Sequence, residues 1–330
     1  RLGGTDIVNS LKNLAPKNKR AWGFAGFFML TAILIASFYM IVIGWILKYI
    51  FLSFGTLPST AQEAGAMFGG LVEGNFLSVF ICFSIVFLTV FYVVSKGIKS
   101  GIERLNILMM PSLFVLLIGL LLYAIFASGN FTQALSFIFI PDFSKLLNAE
   151  LILQALGLAF FSMSMGVGTV ATYAASLPDG TNLVKSTFSI VFINILIGIM
   201  MGLVVFSFIP IIDGQPASEG AGLIFVSLTS LFAQMGIMGN ILAIAFFISL
   251  LFAGITSAVS MIEPFALYLI HKFQLSRNSA IMIIGVFVYI LGTLCILSYY
   301  GVTSSYFSIP AAALGNEKPI AFFDVLDLLT

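Results

Sequence analysis

Seven stretches of this chain, at 21–47, 75–95, 105–127, 150–173, 186–212, 238–270 and 279–300, are predominantly apolar over more than 20 residues each. About 20 residues of helix cross a hydrocarbon core roughly 30 Å thick. No water is available there, so the backbone must satisfy its own hydrogen bonds, and lipid-exposed segments must be helical or closed into a barrel. The expected fold for runs of this length is all-α, a polytopic transmembrane helical bundle forming one domain over 1–330. The scarcity of charge agrees: 8% of residues are charged and 60% hydrophobic, where a soluble domain carries about 25% charge. A net charge of +1 gives no reason to expect a nucleic-acid partner. Cys82 and Cys295 both fall inside apolar runs and read as small buried hydrophobes, not as a disulfide or metal pair.

The loops give the orientation. Those at 1–20, 96–104, 174–185 and 271–278 hold eleven of the fourteen basic residues, and the alternate set holds three. The basic set faces the cytoplasm by the positive-inside bias. The chain is thus expected to be multi-pass in the cell (inner or plasma) membrane, with 1–20 cytoplasmic. Residues 215–237 are apolar but too short and Gly-rich to cross, and are expected to form a re-entrant helical hairpin on the outer face. The run 238–270 would be about 50 Å long as a helix and must tilt or protrude. Arg1–Gly4 reads as the interior of a longer chain and Ala321–Thr330 as the start of another helix.

Several stretches carry more polarity than lipid requires. In Phe161–Gly168 small or polar residues recur at 162, 164, 166 and 168. Two readings stand: a discontinuous helix whose freed backbone faces a cavity, or a groove that admits a neighbouring helix. Ala253, Thr256, Ser257 and Ser260 share one helical stripe. The carbonyl of 253 and the hydroxyls of 256 and 257 form a neutral oxygen set of the kind hard cations accept. Membrane Ser and Thr more often bond back to the i−4 carbonyl, so chemistry alone favours packing here. Asn194 is the one amide of the fifth span, and Tyr39 offers a hydroxyl in the first. Either could line a cavity or serve helix packing. Glu263, just before Pro264, lies deep in a span and is a functional candidate by default. It could equally be a protonated carboxyl bonded to backbone that the proline frees.

Taken in order, the motifs resemble the neurotransmitter:sodium symporters, bacterial-type members in particular. SKGIKSGIERLNILMMP (95–111) resembles the family's loop before helix five, and FFSMSMGVG (160–168) its unwound sixth helix. Asn194 with GLVVFSF (202–208) resembles the seventh helix, FAGITSAVSMIEP (252–264) the eighth, and HKFQLSRNSA (271–280) the loop before the ninth. The resemblance implies a partial inverted-repeat sodium symporter fold covering family helices three to nine and the start of ten, truncated at both ends. A chain of that extent is not expected to transport by itself.

The resemblance also implies roles. Tyr39 would bond the substrate carboxylate, while Phe161, Ser164, Val167 and Met261 would wall the side-chain pocket. Ser162 and Asn194 would hold one sodium ion; Ala253, Thr256 and Ser257 would hold another. Ser162 and Ser257 would touch substrate as well, and Asp327 would belong to the outer gate. At the family's two chloride-ligand positions stand Leu158 and Gly198, which counts against a bound chloride. His271 stands at the acidic inner-gate position, so the usual Arg–Asp latch cannot form there in its usual manner. The implied function is sodium-coupled symport of an apolar or aromatic amino acid by alternating access. A proton-coupled permease of the same broad fold, with Glu263 or His271 carrying the proton, is the alternative. A membrane enzyme has no support: the single histidine lies in a loop, and neither a zinc-protease nor a nucleophile-elbow motif occurs.

Overall fold

Polar side chains set where the helices begin. In the computed structural model, which describes residues 6–329 apart from 142, 144–147, 179, 210, 213–214, 217–219, 301–307 and 310–319, Asp6 accepts from Asn9 N at 3.0 Å and starts α1 (Ile7–Leu14). Asn75 starts α4 (Phe76–Ser95) in the same manner, Asn148 starts α7 (Ala149–Ser162), Asn182 starts α9 (Leu183–Phe208), and Ser276 starts α12 (Arg277–Tyr299). Each side-chain oxygen satisfies an amide that the first helical turn leaves without a partner.

The remaining helices are α2 (Lys19–Leu52), α3 (Ala61–Val72), α5 (Ile98–Ala127), α6 (Phe131–Phe139), α8 (Thr169–Ser176), α10 (Gly220–Gln234), α11 (Gly236–Phe273) and α13 (Phe322–Leu329). Among the described residues, α2, α4, α5, α9, α11 and α12 are long and apolar enough to cross a membrane. The crossing expected at 150–173 is in two pieces, α7 and α8. Two short antiparallel ribbons, Ile211–Ile212 with Gln215–Pro216 and Ser308–Ile309 with Ile320–Ala321, lie in connecting segments.

α2 and α11 form the packed centre. Ala36, Met40, Ile43 and Tyr49 of α2 are buried, as are Phe246, Phe247, Ala258 and Ile262 of α11. Apolar burial does not draw helices together in lipid, so close backbone approach matters more. A Cβ on Gly254 of α11 would lie 2.9 Å from Ile43 Cγ1, and one on Gly292 of α12 would lie 2.5 Å from the Phe83 ring. Both glycines are small because a neighbour fills their space.

Within 215–237, Gln215–Pro216 belongs to a short ribbon, Gly220–Gln234 is helical and Gly236 begins α11, while 217–219 of the expected outer hairpin lie outside the described residues. Gly220 (φ +58°) and Gly236 (φ +64°) take the left-handed conformation at the two ends of that helical run, the second leading directly into α11. The long helix is longer than expected, 38 residues with Pro264 inside it, or about 57 Å.

Candidate functional site

The interruption between α7 and α8 is produced by backbone conformation. Ser164 (φ +51°), Gly166 (φ +92°) and Gly168 (φ +83°) all lie in the left-handed region, which glycine adopts without penalty and a right-handed helix excludes. Met165 N still reaches Phe160 O at 2.9 Å. Beyond it, the amides of Gly166, Val167 and Gly168 make no backbone hydrogen bond among the described residues. The helix resumes with Thr172 N on Gly168 O at 3.0 Å. Donors and acceptors are thereby released at the middle of a crossing, where only a cavity or a protein partner tolerates them.

Asn194, on α9, donates from Nδ2 to the carbonyl of Ser162 at 3.2 Å. The break and the fifth-span amide are thus brought together, with the Asn194 carbonyl oxygen left available to a ligand. On α11, Thr256 Oγ1 lies 3.0 Å from both Phe252 O and Ala253 O. The Thr256 proton is therefore used within its own helix, while lone pairs of two neighbouring oxygens remain side by side. Ser257 is exposed, and the Tyr39 phenol of α2 interacts with its side chain. Tyr173 of α8 donates to Ser260 Oγ at 3.3 Å. The oxygen stripe is accordingly touched from α2 on one side and from the broken helix on the other. Ala253, Ser164, Val167 and Met261 are half-buried, whereas Phe161 and Leu158 are exposed on α7. Asp327 is exposed on α13.

The donors fit a monovalent ion. Among the described residues no cluster of three His, Cys, Asp or Glu side chains exists to hold a metal. Ala253 O, Thr256 Oγ1 and Ser257 Oγ add no formal charge to compensate a divalent ion, which oxygen cages normally do with carboxylates.

Glu263 is corrected. It is not bonded to proline-freed backbone: Arg277 Nη1 and Nη2 donate to its two oxygens at 3.0 and 2.6 Å. Arg277 also donates to Val94 O at 2.7 Å from Nη2 and 3.0 Å from Nε. The carboxyl is fully buried, and the pairing ties α4, α11 and α12 together at one end of the bundle. Sequence reasoning missed Arg277 and Tyr173. The signal for Arg277 was its place just beyond the short loop that reverses the chain after α11. His271 lies with Nδ1 3.6 Å from Asp6 Oδ2, a contact between α11 and the cap of α1.

Six helices long and apolar enough to span among the described residues, with a further crossing interrupted at 163–168 and bonded to two of them through Asn194 and Tyr173, define a secondary-transporter bundle of the discontinuous-helix type. Residues 70–308 match the Sodium:neurotransmitter symporter family, and the chain belongs to that family. It is 34% identical over 302 residues to an uncharacterized sodium-dependent transporter, YhdH, of Bacillus subtilis, covering 91% of this chain and 65% of that protein. It is 30% identical over 296 residues to an uncharacterized sodium-dependent transporter of Haemophilus influenzae, covering 88% and 63%. The chain thus spans less than two thirds of the length of these relatives. A crystal structure of MhsT in complex with L-phenylalanine superposes with a TM-score of 0.83 at 31% identity, covering 100% of this chain and 72% of that one.

Proposed function

We propose that the intact protein is a symporter that couples sodium entry to uptake of an apolar or aromatic amino acid. The observation that carries this reading is the helix interruption at 163–168 with Asn194 on its Ser162 carbonyl, and with Tyr173 just beyond it bonded to Ser260 of the α11 stripe that Tyr39 also touches. Ala253 O, Thr256 Oγ1 and Ser257 Oγ hold one sodium ion, and Ser162 with Asn194 contributes to a second. Tyr39 bonds the substrate carboxylate. Phe161, Ser164, Val167 and Met261 line the side-chain pocket, with Ser162 and Ser257 between ion and substrate, and Asp327 serves the outer gate. MhsT, whose structure is so similar, was crystallised with L-phenylalanine, which supports the substrate class. The basic loops face the cytoplasm. Proton coupling through Glu263 has little to recommend it, because both carboxyl oxygens are already engaged by Arg277.

Sodium titration of L-phenylalanine binding to the purified intact transporter tests the site. Thr256→Val keeps the shape and deletes an oxygen, and it raises the sodium concentration for half-saturation by roughly 5- to 150-fold, the effect of about 1–3 kcal/mol. Ser257→Ala acts in the same direction. Ser260 is a poor control because Tyr173 bonds it. Ser249, buried two turns earlier and bonded to Phe246 O, is the better one, and Ser249→Ala leaves the sodium dependence in place. Unchanged titrations for both site variants in folded protein would reduce the stripe to a packing surface.

A further inference from the structure

At the end of the bundle where α1, the start of α2 and the end of α11 meet, a cavity of about 280 Å³ is lined by Lys12, Arg20, Lys272, Phe24, Phe27 and Tyr268. That is just below the roughly 300–1,000 Å³ of drug-sized sites, enough for a headgroup and too small for a whole lipid. The cavity is built and not a chance gap between mobile side chains. A Cβ on Gly26 would lie 2.7 Å from Val8 Cα, so α1 is pressed backbone-to-backbone onto α2. The Lys12 stem lies over Gly23, with its Cδ 3.6 Å from the position of a Cβ there. Phe27 meets Tyr268 edge-on at 5.4 Å, which fixes the α2–α11 wall.

Among the described residues, three cations line this space and no carboxylate does. None of the three forms an ion pair among the described residues. The nearby Asp6 is buried, caps α1 through Asn9 and faces His271. Cations without partners converging on one cavity are stabilised by an anion. Outside the rim the surface is apolar: Phe24 is 74% and Phe28 64% exposed, with Trp22 beside them also exposed. This order, cations then aromatic rings then apolar surface, is that of a membrane interface.

We propose that the cavity binds the phosphate of an acidic glycerophospholipid from the adjoining leaflet, with the acyl chains running along Phe24 and Phe28. Arg20 offers a planar donor fork to the phosphate oxygens, while Lys12 and Lys272 act as point charges. The inference rests on the orientation proposed above only for which leaflet supplies the lipid, the cytoplasmic one. Holding α1 against α11 by a shared lipid makes that end of the bundle responsive to lipid charge.

The test uses the intact transporter in phosphatidylcholine nanodiscs containing a minor fraction of photoreactive phosphatidylglycerol, followed by peptide mapping. Labelling is expected within 7–28 and 265–273, and Arg20→Gln and Lys272→Gln each lower it by roughly fivefold, the effect of one interfacial charge. Gly23→Leu keeps every charge but fills the cavity, and it lowers labelling at least as much. Equal labelling by photoreactive phosphatidylcholine would overturn the proposal, as would indifference to Gly23→Leu, which would mean diffuse surface attraction. Suppression by free inorganic phosphate would point to a soluble anion instead. No labelling at all would show that another segment of the chain covers the cavity. Sodium-dependent L-phenylalanine binding on the same sample separates the two readings: if it fails while labelling persists, only the coupling assignment falls.

Discussion

Both oxygens of Glu263 are held by Arg277, which gives two further donors to Val94 O. Burying a carboxylate costs several kcal/mol unless a partner of good geometry answers it, and removing only the partner leaves that cost uncompensated. Arg277→Gln is therefore expected to destabilise the intact protein by on the order of 3 kcal/mol, read as a lowered melting temperature in detergent. The double variant Glu263→Gln with Arg277→Gln should recover much of the loss, because no charge is then left buried. A double variant as unstable as the single one would mean that the Val94 contact, and not the ion pair, dominates. Glu263 was visible in the sequence as a charge in a span, but its answer was not. Arg277 is 14 residues away across a reversal, and only the antiparallel return of α12 beside α11 brings the two together. Thr256 illustrates the opposite limit. Its oxygen stripe was plain from helical spacing, yet spacing could not say that the hydroxyl bonds Phe252 O and Ala253 O at rest.

The interruption of the fourth crossing is an element-scale property, and it was legible because its cause is local. Ser164, Gly166 and Gly168 alternate in the sequence, and all three take positive φ in the fold. A Cβ at Gly166 would meet nothing within 4 Å, so only conformation resists a side chain there. Gly166→Ala should cost about 1–2 kcal/mol for placing an L residue in the left-handed region. In the intact protein it should also raise hydrogen exchange at 163–168, with little change in α11. If exchange at 163–168 falls instead, alanine has extended the helix and the break is a glycine effect of sequence alone. Gly254 gives the contrasting case, since its missing side chain is replaced by Ile43 Cγ1 at 2.9 Å. Gly254→Val overpacks the α2–α11 contact and should cost about 1–3 kcal/mol, read as a lower melting temperature without any change in φ. Gly content alone does not locate a turn: of the glycines at 220, 222 and 236, those at 220 and 236 take positive φ and bound the helical run, while Gly222 lies within it.

At the scale of the whole molecule, orientation follows from a charge asymmetry that no single helix contains. Eleven of fourteen basic residues lie in one alternating set of loops, and the fold places parts of that set side by side. Asp6 of the first basic loop meets His271 of the last, and Arg277 reaches Val94 next to the second. Coil lengths alone could not have shown this convergence, because it depends on how α2, α4, α11 and α12 pack. The opposite end carries α3 and α10, where Gln234 donates to Ser59 O at 3.2 Å and Asn240 to Gly55 O at 2.6 Å. If the basic end is cytoplasmic, a cysteine placed at Lys17 in the intact protein should react with a membrane-impermeant maleimide only after cells are permeabilised. A cysteine at Gln62, exposed in the first turn of α3, should react in intact cells. The native thiols of Cys82 and Cys295 are buried, so they contribute little background and need not be removed. Neither substitution touches a cap or an ion pair, so folding is expected to be retained, with sodium-dependent L-phenylalanine binding as its check. Reversed labelling in protein that still binds would show that the bundle sits the other way up. It would also move the lipid cavity to the outer leaflet while leaving the helix interruption and its oxygen stripe in place.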